Sequence, residues 1–265
     1  LFARWQALAD LGMPVLVKAT QDARKKKPIV ADPTFISVLL ETVGNDALEP
    51  AFRAQVLSLA SEPDIARSLG KNNDPDAVHR GREAVLKAIA DKGHATFERL
   101  YKELSTTGKF TPDAKSAGRR ALRNAALSYL SMAEKSPFRA AEAFDEAGNM
   151  TELANALGVL AYQFPDSDET LAALAAFATR FDNNALVLDK WFSIQATIPG
   201  DDALERVKAL MGDSRYNANN PNRVRALIGG LAFANPTGFN RADGAGYRLL
   251  AEQIRQLARY YGTTR

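Results

Sequence analysis

"RRALRNAALSYLSMAEKSPF", residues 119–138, carries the pattern that decides the fold. Leu122, Ala126, Tyr129 and Ala133 recur every three or four positions, so one face of a 3.6-residue helix collects them. Ala and Leu, both good helix formers, fill the intervals. Ser136 and Pro137 then mark a new start, because Ser can cap free N–H groups and Pro suits a first helical turn. Upstream, Phe97, Leu100, Tyr101 and Leu104 repeat the stripe. The same start signals recur at Ser61 with Pro63, at Asp74-Pro75 and at Thr111-Pro112.

The breaks "KKKPIVADP", "VGNDALEP", "TTGKFTPDA", "QFPDSDET" and "IPGDDALE" separate the remaining helices, one of them expected near 33–43. No segment alternates as a strand does. The nearest, "PVLVKAT" at 14–20, continues into "QDARKKK" and reads as a helix beginning after Pro14. The expectation is an all-α chain of about thirteen helices, each of roughly 10–18 residues, with loops of about 2–8. Such antiparallel pairs build an α-α superhelix of the HEAT or armadillo kind in preference to a closed bundle, although no residue-level repeat is visible. No linker divides the chain, so residues 1–265 are expected to form one domain. Phe2-Ala3-Arg4-Trp5 is already helical in character, and the chain reads as a piece of a longer protein, truncated at both ends.

Composition narrows the function. The chain has 265 residues, 46% hydrophobic, and a formal charge of +3. That charge is too diffuse for a nucleic-acid footprint. With no Cys, disulfides, thiolate catalysis and Cys-bound zinc are excluded. No apolar run approaches the roughly 18 residues of a membrane span. His79 and His94, the only histidines, stand fifteen apart in "HRGRE" and "HATFE", so neither belongs to the H-E-x-x-H pair that grips one metal from one helix face. No nucleophile elbow or phosphate loop occurs. Asp166, Asp168 and Glu169 fit a helix start, and Asp22, Arg24 and Lys25–Lys27 fit a helix end.

"NNPNRVRAL" (219–227) is less ordinary. Asn220-Pro221 begins a helix, with Asn222 in its first turn. Arg223 and Arg225 then place two cations at the positive end, each costing about 0.3–1 kcal/mol. Their i, i+2 spacing points them to different faces.

Three stretches, "RRALRNAALSYL", "LVLDKWFSIQA" and "NPNRVRALIGGLAFANPTGFNRADGAGYRLL", resemble in that order the C-terminal helical domain of the bacterial zinc aminopeptidase N family. The matching residues are Asp189 to Phe192, Gln195-Ala196, Asn220 to Arg223, Arg225, Leu227 to Gly229, Asn235-Pro236, Phe239, Asp243-Gly244 and Gly246-Tyr247. Asn240 and Ala245 depart from the family's His and Ser, and "ARYYGTTR" departs at the end. The resemblance implies a non-catalytic domain that covers an active site and limits access to it. The zinc and its H-E-x-x-H ligands would sit in the preceding catalytic domain of the same polypeptide, leaving no cofactor here. The implied substrates are peptides, the location cytoplasmic, and neither nucleic acid nor membrane is a partner.

Within that picture Arg223 or Arg225 is a candidate to meet a peptide carboxylate or an acidic residue of the catalytic domain. In the alternative, both arginines pair with acids inside this domain and fix the turn before Asp243. Asn220, Pro221, Asn222, Asp189, Trp191, Asp243, Gly244 and Tyr247 are read as the structural motif, with Trp191 and Phe192 in the core. The competing function is a free-standing helical-repeat scaffold that binds proteins through its concave face.

Overall fold

The computed structural model describes residues 1–105 and 110–262. Residues 106–109 of the "TTGKFTPDA" break and the last three of "ARYYGTTR" lie outside the described residues. Every regular element among the described residues is helical and none is a strand. The elements group into two compact units, 1–159 and 160–265. The boundary falls inside a helix, Met150–Gln163, so no loop marks it.

The first unit is built on long helices. These are α1 (Phe2–Arg24), α2 (Pro33–Gly44), α3 (Pro50–Val56), α4 (Glu62–Leu69), α5 (Pro75–Glu103), α6 (Ala114–Glu134), α7 (Phe138–Asp145) and the start of α8 (Met150–Gln163). α5 packs against both α1 and α6, and α3 lies on α6. The stripes seen in the sequence make this core: Phe97, Leu100, Leu122, Ala126 and Leu130 are buried, and Phe97 stacks on Tyr129 at 4.7 Å. Tyr129 donates its hydroxyl to the Leu57 carbonyl at 3.1 Å, which satisfies the one polar atom of that buried ring. α1 and α5 approach closely at Gly81, where a Cβ would lie 2.6 Å from the Thr20 nitrogen. An apolar groove of about 660 Å³ opens beside α1, lined by Trp5, Leu8, Met13, Leu16, Phe35 and Leu59.

Several local expectations hold. Ser61 and Asp64 form a reciprocal capping box on α4, and Asp74 caps α5. Others are corrected. Helix lengths exceed the expected range, with 23 residues in α1, 29 in α5 and 21 in α6. Pro14 lies inside α1 rather than starting it. One missing backbone hydrogen bond is outweighed by the burial of Leu8, Leu16, Ala19 and Ala23 along the helix. α6 is capped by Asp113, which accepts from the Ser116 nitrogen at 2.9 Å, while Thr111 donates its hydroxyl to Ser116 Oγ. A carboxylate outcompetes a hydroxyl as acceptor there.

The second unit contains the rest of α8, then α9 (Asp168–Arg180), α10 (Ala185–Ala196) and α11 (Ala203–Met211). It continues with α12 (Pro221–Val224), a π-helical turn Arg225–Gly229, α13 (Gly230–Ala234), α14 (Pro236–Phe239) and α15 (Ala245–Gly262). Ser167 caps α9, whose first turn holds Asp168 and Glu169. Trp191 and Phe192 of α10 are buried, and the indole N–H donates to the Leu174 carbonyl at 2.9 Å.

Two tests follow from the first unit. Gly81→Ala forces a methyl into the α1 backbone and is expected to cost about 1–3 kcal/mol or more in chemical denaturation. Gly158→Ala in α8, where a Cβ meets nothing within 4 Å, is expected to stabilise by about 0.5–1 kcal/mol. The second test uses His79 on α5, whose Nδ1 lies 2.8 Å from Glu62 Oε1 on α4. The hydrogen bond to Glu62 raises its pKa above 6.5, against the opposing effect of burial. A raised folded pKa gives stability that is fully present below the unfolded value and lost as pH rises through the folded one. Hydrogen exchange in α4 is therefore expected to quicken as pH climbs from about 6 to 8, beyond the intrinsic rate, and His79→Gln is expected to flatten that excess.

Candidate functional site

The residues singled out in the sequence meet around α10 and α12 of the second unit. Asn184 caps α10 by accepting from the Val187 nitrogen at 3.2 Å. Helical periodicity then turns Leu188, Trp191, Phe192 and Gln195 inward and leaves Asp189 at their margin. Asn220 caps α12, accepting from the Asn222 nitrogen at 3.0 Å and the Arg223 nitrogen at 3.4 Å, with Pro221 in the first turn.

Arg223 is only 3% exposed. Its Nε donates to Asp189 Oδ1 at 2.6 Å, Nη2 donates to the Ala185 carbonyl at 3.2 Å, and Nη1 donates to the Arg215 carbonyl. The guanidinium also lies 4.7 Å over the Phe192 ring. All three nitrogens thus have acceptors inside the unit. This answers why a cation stands at the positive end of a helix: a carboxylate 34 residues away neutralises it and ties α12 to α10.

A second arginine extends the arrangement. Arg215 lies 4.6 Å over the Trp191 ring and grips Asp213 with Nε at 2.7 Å and Nη2 at 2.6 Å. That contact holds the Asp213 carboxyl below its usual range. Trp191 and Phe192 meet edge to face at 4.9 Å, so two aromatic rings stand between two guanidiniums. Tyr216 packs its edge on Phe192, and burial raises its hydroxyl's pKa.

Arg225 behaves differently. It is exposed at the start of the π-helical turn, and Nη1 donates to Asn222 Oδ1 at 3.0 Å. It makes no ion pair among the described residues. Extra π-helical residues are often found at functional sites. Arg225 is the one arginine of the motif with its charge open to a ligand, whereas Arg223 is enclosed.

The downstream motif residues form two turns. Asn235, 2% exposed, donates Nδ2 to the carbonyls of Ala196 and Ile198 at 3.0 and 2.8 Å and accepts from the Gly238 nitrogen at 3.0 Å. It closes the end of α10 and starts α14. In the sequence its Asn-Pro pair stood out only as part of the family motif, and its reach back to α10 was not legible. Asp243 accepts from the Ala245 nitrogen at 2.9 Å and pairs with Arg241 at 3.0 Å, which lowers its pKa. Gly244 has φ of 69°, open to glycine at little cost, and a Cβ on Gly246 would meet the Phe239 carbonyl oxygen at 2.2 Å. Tyr247 donates to Asn240 Oδ1 at 2.5 Å and lies half-exposed against Phe239. Asn240 therefore serves as the acceptor for the Tyr247 hydroxyl. Among the described residues no three His, Asp or Glu side chains gather as a metal site. The site can brace helices and offer one exposed guanidinium.

Known proteins match this chain along nearly its whole length. It is 37% identical to aminopeptidase N of Caulobacter vibrioides over 96% of this chain, and 32% identical to aminopeptidase N of Escherichia coli over 97%. It spans 29% of the length of each of these relatives, matching their C-terminal part. A crystal structure of Legionella pneumophila aminopeptidase A in complex with aspartic acid superposes with a TM-score of 0.82 at 29% identity, covering 97% of this chain and 30% of that one. The family model described as a domain of unknown function (DUF3458_C) with ARM repeats matches residues 1–261, in keeping with an all-α superhelix, and the chain belongs to that family.

Proposed function

We propose that this chain is the non-catalytic helical part of a zinc-dependent aminopeptidase that removes N-terminal amino acids from peptides. In this reading it covers the active site and limits which substrates enter. The observation that carries the reading is the uneven coverage: about 96% of this chain matches about 29% of an aminopeptidase N. The other seven tenths of such a protein is where zinc, its ligands and the peptide's amino-group site would lie. The partners are then the catalytic region of the same polypeptide and the peptide substrate, in the cytoplasm.

Arg225 is the residue assigned to the substrate's far end. Its charge is exposed and unpaired by any described acid, and its Nη1 is turned to Asn222 Oδ1 at 3.0 Å. A guanidinium binds a carboxylate through two parallel hydrogen bonds. Phe233 and Leu186, 79% and 71% exposed, supply apolar surface of the kind that partner contacts use.

The test uses the full-length polypeptide. Arg225→Ala is expected to lower kcat/KM about 10- to 100-fold for peptides with a free C-terminal carboxylate. A single-residue amide reporter, which has no such carboxylate, is expected to change less than about twofold. Arg223→Ala is expected instead to lower Tm and impair both substrates together. Equal losses on peptide and reporter for Arg225→Ala would show a brace rather than a carboxylate contact.

A further inference from the structure

The arginine-rich turn "RRALR" at 119–123 has no part in the function just described. Two of its arginines have evident work. Arg119 donates Nη2 to the Glu103 carbonyl at 3.0 Å. Arg123 donates Nε to the Tyr101 carbonyl at 3.3 Å and lies 4.2 Å over the Tyr101 ring. Both close the C-terminal end of α5, where cations suit the helix dipole.

Among the described residues Arg120, between them, has neither a carbonyl nor a carboxylate. It is 6% exposed, and its Nε is enclosed without a hydrogen-bond partner. It makes no ion pair among the described residues. Its contact is the Phe110 ring, 4.5 Å from the guanidinium carbon. A ring face compensates only part of what a cation loses when it leaves water. The neighbourhood in sequence adds like charge: Arg119 and Arg123 flank it, and Glu152 is engaged with Arg123 at 3.9 Å. A buried guanidinium in a basic surrounding lacks its anion.

We propose that Arg120 is the receiving half of a carboxylate site whose other half comes from outside this chain. Phe110 covers one face of the guanidinium plane. A carboxylate binds in that plane, at the nitrogen-bearing edge, which a ring stacked on the face does not block. The small remaining exposure suits a single carboxylate. A phosphate calls for more donors than one edge supplies, and Arg119 Nη2 and Arg123 Nε are turned to the carbonyls of Glu103 and Tyr101. The carboxylate belongs either to an Asp or Glu side chain or to a polypeptide C-terminus.

The 265-residue chain itself provides the test. Its Tm is measured in sodium propionate, which mimics a side-chain carboxylate, and in N-acetylalanine, which mimics a chain end. Each is compared with sodium chloride at equal ionic strength. At least one carboxylate is expected to raise Tm by about 2–4 °C beyond chloride, and the better of the two names the source. Arg120→Met is expected to abolish that gain, and Arg120→Lys, which keeps charge without the fork, to reduce it. The Arg120 Nε–H resonance of the unaltered chain is expected to shift saturably with the same probe. A resonance that does not move overturns the proposal, even if the Met variant fails to fold. So does a gain absent beyond chloride, or one retained in Arg120→Met.

Discussion

The second unit depends on one ion pair, between Arg223 on α12 and Asp189 on α10. A guanidinium that is 3% exposed must have all its donors met, and here a carboxylate and two carbonyls meet them. Each acceptor fixes a different piece of chain: the middle of α10, its first residue, and the loop before α12. Burial makes the pair directional, since displacing either helix leaves a charge out of water and unmatched. The two arginine–aromatic contacts and the Asn235 clasp on the end of α10 then become possible in the same frame. The π-helical turn that follows Arg223 has the geometric effect of presenting Arg225 outward from an anchored base.

The first unit is held by other means. Its long helices close on one another where glycines remove side chains. Gly81 meets the α1 backbone, and Gly118 meets Ala51, where a Cβ would lie 2.9 Å from the Ala51 nitrogen. Close helix approach buries the Phe97–Tyr129 stack and the leucines around it. This is packing by shape, with the Tyr129 hydroxyl answered by the Leu57 carbonyl and Arg53 by the Val43 carbonyl and Asp46.

What the sequence disclosed follows from how local each signal is. Caps act within three residues, so Asn220, Ser61 and Asp74 were readable. Thr111 misled because Asp113, two residues on, is the stronger acceptor. Helix lengths were underestimated because Pro14 looks like a start, while tertiary burial carries α1 straight through it. The boundary between units lies inside α8, where no loop, proline or charge run marks it. For the arginines, the sequence showed that two cations stood in an unfavourable place and that they faced different ways. It did not show which one Asp189 neutralises, because that contact spans 34 residues and depends on how α10 and α12 pack. The same holds for Arg120: "RRALR" announces a basic turn, but only burial separates the middle arginine from its neighbours.

The central claim is that Asp189, and not a ligand, neutralises Arg223 of the motif and ties α12 to α10. A double-mutant cycle tests it most directly: Asp189→Ala, Arg223→Ala and both together, in a Trp5→Phe background so that fluorescence reports Trp191 alone. The account predicts a coupling of about 2 kcal/mol or more, against about 1 kcal/mol or less for the exposed Arg241–Asp243 pair. A coupling below about 0.5 kcal/mol at Asp189–Arg223 would contradict it.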